Sequence, residues 1–350
     1  MGGGNNIRRM RFLSFIITVF LSFGFATPAY ALSFSINWDA DFLADNDARN
    51  AFTRAADQWS AIFTDDITIE FDAVWQSYGV GSTTLGSAAS DSYLQDFDTM
   101  RNAMEADGAD ESDDGITAYL PTAAQFAAPT LEAGDAISTV GIYMQEATLK
   151  ALGYDTSAFP NPDSTLTFNS DYTWDYDNTD GVTALTMDFE TVVAHEIGHA
   201  LGFTSTVDIF DYNAAVTYAI KPLDFFRFGP GADPSTNAEF TTFPRDLTPG
   251  NAAFFDDISG TTYLFSTGKN DGDGQQASHW KDNLSIGLMD PTLDWATYYG
   301  ISASDIRALD LIGFDYEVPT PLPATAPLFA FGLGALAWLK KRSQSRTKTI

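Results

Sequence analysis

The sequence predicts an α/β fold of the α+β kind, and three observations carry that expectation. The apolar positions Ala48, Ala51, Phe52, Ala55, Trp59, Ile62 and Phe63 step by three and four along residues 46–63, the pattern of an amphipathic helix. Immediately afterwards Ile67, Ile69, Phe71 and Ala73 alternate with Thr68, Glu70 and Asp72, as a half-buried strand does. Apolar residues at 45% and aromatics at 14% are enough to fill a packed core.

Later elements follow from the same signals. A second strand is expected over Ala136–Met144, then a short helix to Leu152 that Gly153 stops. Thr165–Asn169 reads as a third strand between turn residues. Asp188 is a good N-cap for a helix running to Leu201, with Gly202 placed to end it. Residues 203–278 are a long passage rich in Gly and Asp, with a hairpin expected around Gly260. The last helix is expected over Ser304–Ile312, closed by Gly313.

The two ends read as addresses. Arg8, Arg9 and Arg11, an apolar stretch from Phe12 to about Ala26, and Ala29-Tyr30-Ala31 compose a secretory signal peptide over residues 1–31, cleaved after Ala31. Residues 318–350 hold a proline-rich spacer from Val318 to Ala324, an apolar run to Leu339 and then Lys340, Lys341 and Arg342. Proline cannot continue a helix, so the spacer is extended and the run is a short membrane helix stopped by charges. This tail resembles the PEP-CTERM sorting signals that exosortases process in Gram-negative bacteria. The resemblance implies transient association with the inner membrane, an exosortase-type partner, and delivery to the cell surface or extracellular matrix.

Between those ends, residues 32–317 carry 10 of the 18 Lys and Arg and all 47 Asp and Glu, a net charge of -37. Such a surface repels phosphate backbones, which argues against a nucleic-acid partner. It suits divalent cations held by oxygen ligands. The acidic stretches Asp107–Asp114, Asp175–Asp180 and Asn270–Asp273 are candidates for structural Ca2+, although none has the spacing of a complete calcium loop. Cys is absent, so a zinc site here must use His, Asp or Glu.

One segment has that chemistry. His195-Glu196-Ile197-Gly198-His199 fits H-E-x-x-H, and on a helix residues i and i+4 share a face, so both imidazoles can reach one ion. In this motif the two His bind Zn2+ and Glu196 serves as general base toward a polypeptide substrate. The chain has three His in all, and the third, His279, lies in Ser278-His279-Trp280 ahead of Gly287-Leu288-Met289-Asp290-Pro291. Asp208 and Asp211, which follow the helix closely, are rival third ligands.

The run HEIGHALGF from His195 to Phe203 resembles the metzincin clan of zinc endopeptidases. In most of that clan the third His lies six residues beyond the second, where this chain has Ser205. The leishmanolysin branch instead has a long insertion and recovers its His in an S-H-W segment before a Met-turn, as this chain does 80 residues after His199, with Met289 ten residues further on. That likeness implies that His279 is the third ligand and Met289 the floor beneath the zinc. It also implies a twisted mixed sheet, two subdomains of about 32–202 and 203–317, and a peptide lying along an edge strand, for which Thr165–Asn169 is the candidate. The rival readings are a matrix or adhesion protein with a structural zinc, and a metallohydrolase acting on polysaccharide or small amides.

Overall fold

The computed structural model describes residues 32–109, 111–126, 129–159 and 162–316. The expected signal peptide and sorting tail lie outside these residues. Among the described residues no helix is long and apolar enough to cross a membrane.

The chain opens with β1 (Ser33–Trp38), α1 (Ala40–Ala44), α2 (Asn46–Ser60) and β2 (Thr68–Gln76). Asp39 joins them: one carboxylate oxygen caps α1 by accepting from the Phe42 N–H at 2.8 Å, and the other accepts from Trp75 N–H at 2.8 Å. The stripe expected on α2 is real, since Ala48, Ala51, Phe52, Ala55 and Trp59 are fully buried. So is the alternation of β2, whose Ile69, Phe71 and Ala73 are buried while Thr68 and Glu70 face outward.

Next come β3 (Gly86–Ala89), β4 (Ser92–Asp96) and α3 (Phe97–Asp107), then β5 (Ala136–Ile137), β6 (Gly141–Gln145), α4 (Glu146–Ala151) and β7 (Ser164–Asn169). The single strand expected over Ala136–Met144 is therefore two. A turn at residues 138–140 divides them, so that β6 pairs with β4 and β5 with a later strand. The main sheet has the order β1-β2-β7-β3, with β3 alone antiparallel. This corrects the expectation that Thr165–Asn169 is the edge: β7 is paired on both sides, with Val74 opposite Thr167 on β2 and Ser87 opposite Thr167 on β3. The border strand is β3, whose Gly-Ser-Ala-Ala has no apolar alternation for a sequence reading to detect.

After β8 (Trp174–Asp175) and β9 (Met187–Asp188) the chain enters α5 (Phe189–Leu201). This helix packs against α1 and the sheet through Phe189, which sits among Phe42, Trp75, Phe168 and Trp174 with ring centroids 5.1–6.2 Å apart. The remainder holds α6 (Val207–Tyr212), β10 (Thr217–Tyr218), β11 (Arg227–Phe228), α7 (Asn237–Thr242), β12 (Ala253–Phe255), β13 (Tyr263–Phe265) and α8 (Ala303–Asp310). Strands β11, β12 and β13 form an antiparallel sheet, with Gly260 in the expected hairpin connection. Buried Phe225, Phe226, Phe228, Phe240, Phe255 and Phe265 show that residues 203–278 are a packed region rather than an open loop. Helices and several sheets thus make a mixed α+β fold, and α5 lies where its parts meet.

Candidate metal centre

Helix α5 is built to hold its residues still. Asp188 caps it, accepting from the Thr191 N–H at 2.9 Å and hydroxyl at 2.5 Å. At the other end Gly202 takes φ 129°, a left-handed value that closes the helix as its position in the sequence implied. Arg54 of α2 donates to Glu190 Oε1 at 2.6 Å, and Trp59 Nε1 donates to the Ala194 carbonyl at 2.9 Å in the buried interface. The next turn carries His195, Glu196 and His199.

Those imidazoles meet His279. Nε2 of His199 lies 3.1 Å from Nε2 of His195 and 3.1 Å from Nε2 of His279, and the remaining edge of the triangle is 3.2 Å. At each histidine Nδ1 faces a carbonyl oxygen: Leu288 at 2.8 Å for His195, Phe203 at 2.8 Å for His199 and Gln276 at 3.1 Å for His279. A carbonyl only accepts, so each Nδ1 carries the proton and each Nε2 presents a lone pair. Three converging lone pairs have no proton to share, so the triangle calls for a cation. Burial and the neighbouring rings hold the imidazoles neutral, pushing His279 down to about 3 and His199 well below its ordinary value. Zinc held by three nitrogens at about 2.0–2.1 Å in tetrahedral geometry would separate them by roughly 3.3 Å, so these residues fit it.

Glu196 is 5% exposed and its carboxyl is pushed up to about 8 by burial, an effect that a hydrogen bond from the Ala88 backbone partly offsets. Strand β3 passes directly over it: a Cβ added at Gly86 would lie 2.8 Å from Glu196 Oε1 and 3.0 Å from Val192. On the opposite side Met289 is fully buried, and a Cβ at Gly198 would collide with its sulfur. Both glycines are therefore required by close approach, one to the border strand and one to the methionine.

Two buried carboxylates hold the third histidine and the methionine in register. Asp305 of α8 accepts from Leu288 N–H at 2.7 Å, Met289 N–H at 3.2 Å, Trp280 Nε1 at 2.8 Å and Ser302 N–H at 2.8 Å. Asp208 accepts from Ala277 N–H at 2.6 Å, Ser278 N–H at 3.2 Å and the Ser278 hydroxyl. Asp208 thus orients the His279 segment and is not itself in the triangle. The rival ligand Asp211 accepts from the backbone of Lys269, Asn270 and Asp271 instead. Ser205 donates to Asp224 Oδ1 at 2.6 Å, far from ligand duty. Asp208 was a candidate from the sequence, but as a ligand rather than as a support, and Asp305 was not a candidate at all, although Ser302-Ala303-Ser304-Asp305 has the spacing of a capping box, which the structure forms.

Among the described residues, the acidic stretch Asp175–Asp180 spends its carboxylates on its own turns, Asp175 accepting from Asp177 N–H at 2.9 Å and Thr183 N–H at 2.7 Å. Asp273 pairs with Lys281 at 2.6 Å. Trp280, fully buried and stacked on Phe265 at 5.0 Å, is core. Tyr298 is 60% exposed, and the Tyr299 N–H bonds the Thr191 hydroxyl at 3.0 Å.

No curated protein and no solved structure matches the chain. Residues 144–211, from β6 through α5 to α6, match the family model described as Matrixin. That segment holds His195, Glu196 and His199, and its likeness supports a zinc metallopeptidase of the metzincin type.

Proposed function

We propose that the protein is an exported zinc-dependent endopeptidase with His195, His199 and His279 as metal ligands and Glu196 as the general base. The observation that carries the reading is the triangle of three neutral Nε2 lone pairs beside a carboxylate one residue from the first ligand. Zinc bound there supplies a Lewis acid that polarises the scissile carbonyl and lowers the pKa of a water.

The protein's own residues do the rest. Glu196 takes the proton of the attacking water and delivers it to the leaving amine, and its burial under β3 shields that exchange from bulk solvent. Each Nδ1–H to carbonyl bond fixes an imidazole in the ligating tautomer. The substrate lies extended along β3, the border of the main sheet next to Glu196. The 80-residue separation of His199 and His279 and the Met289 contact favour the leishmanolysin-like arrangement over the short-spaced one. Residues 1–31 then direct export, residues 32–317 form the peptidase with a division near residue 202, and residues 318–350 guide exosortase-type sorting to the surface or matrix.

The test is zinc content together with chelator-sensitive cleavage of an unfolded polypeptide. Glu196→Ala is expected to retain zinc while cleavage falls by roughly 10²–10⁴-fold, and His279→Ala to lose zinc. Stoichiometric zinc with no cleavage, unchanged in Glu196→Ala, would identify a structural zinc instead.

A further inference from the structure

A second buried cluster of ligand atoms sits at the other end of α8. Glu111 and Asp114, in the loop after α3, and Asp310, the last residue of α8, each offer an oxygen, and the three atoms lie within 4.8 Å of one another. Asp114 and Asp310 are each 1% exposed. The cation among them is Arg307, which pairs with Asp114, with Asp257 Oδ2 at 2.7 Å and with Asp310 Oδ2 at 2.8 Å. One guanidinium thus serves three carboxylates, and Glu111 is not among them.

The arrangement is left short of positive partners at defined atoms. Asp310 Oδ1 and Glu111 Oε2 are buried and no N–H or hydroxyl donor reaches either, so within the cluster they face only other carboxyl groups. Buried polar atoms are almost always satisfied, and buried carboxylate oxygens most of all, so two orphans in one cluster require something to face. Burial and the adjacent carboxylates push both groups above the usual carboxylate range.

We propose that Glu111, Asp114 and Asp310 bind Ca2+, at a site separate from the histidines. The donors are all oxygens, which favours a hard cation over zinc, and three carboxylates on one ion suit Ca2+, which takes several oxygen ligands and fills its shell with water and carbonyls, rather than Mg2+, which keeps most of its waters. The ion would tie the loop after α3 to α8. Because Asp305 of that helix holds Leu288 and Met289, the clamp stiffens the support of the metal centre from a distance.

The proposal does not depend on the peptidase reading, because its test needs no turnover. Full-length protein is stripped with EGTA, reloaded with zinc, and then titrated with CaCl2 by calorimetry and by thermal melting. The wild type is expected to bind one more equivalent of Ca2+ than Glu111→Gln or Asp310→Asn, and to gain several degrees in Tm on that binding, while Asp175→Asn behaves as wild type. If Asp310→Asn fails to fold, Glu111→Gln, which alters a half-buried side chain, still decides the matter. A wild-type Tm indifferent to Ca2+, or equal Ca2+ equivalents in wild type and Glu111→Gln, would overturn the proposal.

Discussion

The histidine triangle and the Glu111–Asp114–Asp310 cluster are both buried groups of three ligand atoms, yet they are built on opposite principles. In the triangle every atom that is not a ligand has its partner: each Nδ1 donates to a carbonyl, and burial keeps each ring uncharged. In the acidic cluster the ligand groups are carboxyls whose ionised form burial disfavours, and a single arginine answers two of the three. A neutral nitrogen site can be assembled before its ion arrives at little electrostatic cost. An oxygen site of this kind strains the fold until its ion is present, because like charges stand in a low-dielectric interior.

The largest effect that would break this contrast comes from removing the support of the triangle. Asp305→Ala leaves the buried donors of Leu288, Met289 and Trp280 without an acceptor, and is expected to cost about 3 kcal/mol or more in denaturant unfolding. The same variant is expected to weaken zinc binding, measured by competition with a chromogenic chelator. Unchanged stability and zinc affinity would mean that the triangle does not rely on a preformed frame.

A smaller effect is expected over Glu196. Gly86→Ala puts a methyl group against Glu196 Oε1 and Val192, so catalytic turnover should fall roughly ten-fold while bound zinc stays constant, the cost of misplacing a catalytic group by a fraction of an ångström. Equal loss of zinc and turnover would place the damage in the helix rather than at the base.

The smallest effect sharpens the acidic side. Burial, with help from Asp315, Asp65, Glu111 and Asp114, pushes Asp107 up to about 8, and burial, then Asp315 and Glu111, pushes Asp65 up to about 7. A carboxyl whose folded pKa is raised binds its proton more tightly in the folded state, so stability is lost as pH rises from the ordinary value near 4 through the folded one. In EGTA, with zinc present, Tm is therefore expected to decline by a few degrees between about pH 5 and pH 8, and Ca2+ is expected to flatten that decline. Arg307 opposes the trend at Asp114 and Asp310, which is why the effect is modest.

Which parts of this were legible in the sequence follows from how local each signal is. Helix α2 and strand β2 announce themselves because each buries one face and so repeats at 3.6 or 2 residues, whereas α5 is buried nearly all round and is marked by Asp188 and Gly202 at its ends. His195, Glu196 and His199 share one helical turn and were equally plain. Strand β3 was not, since Gly86 and Ala88 owe their place to pairing with β7 and to lack of bulk over Glu196 rather than to any pattern. Within residues 203–278 only the hairpin around Gly260 was legible, because elements of two to six residues are too short to show a period. His279 came from a resemblance, Asp208 was singled out only as a rival ligand, and Asp305 came from neither source, because an aspartate that orders another segment's backbone looks like any surface aspartate. The stretch Asp107–Asp114 was a fair candidate for a cation, but its partner Asp310 is distant in the chain and carries no mark of the association.

The 80 residues between His199 and His279 carry a consequence for the order in which the chain becomes competent. Two of the imidazoles are neighbours as soon as α5 forms, whereas bringing the third to them closes a loop whose entropy cost grows to about 4 kcal/mol for that length. Only the packing of residues 203–278, with Arg227 donating to the carbonyls of Asp246, Ser266 and Ala277, repays that closure and sets His279 in place. A chain still emerging or half-folded thus holds two of the three imidazoles side by side and lacks the triangle. The packing of residues 203–278 is what completes it, so the cluster on α5 is finished late, by a part of the chain that α5 itself does not contain.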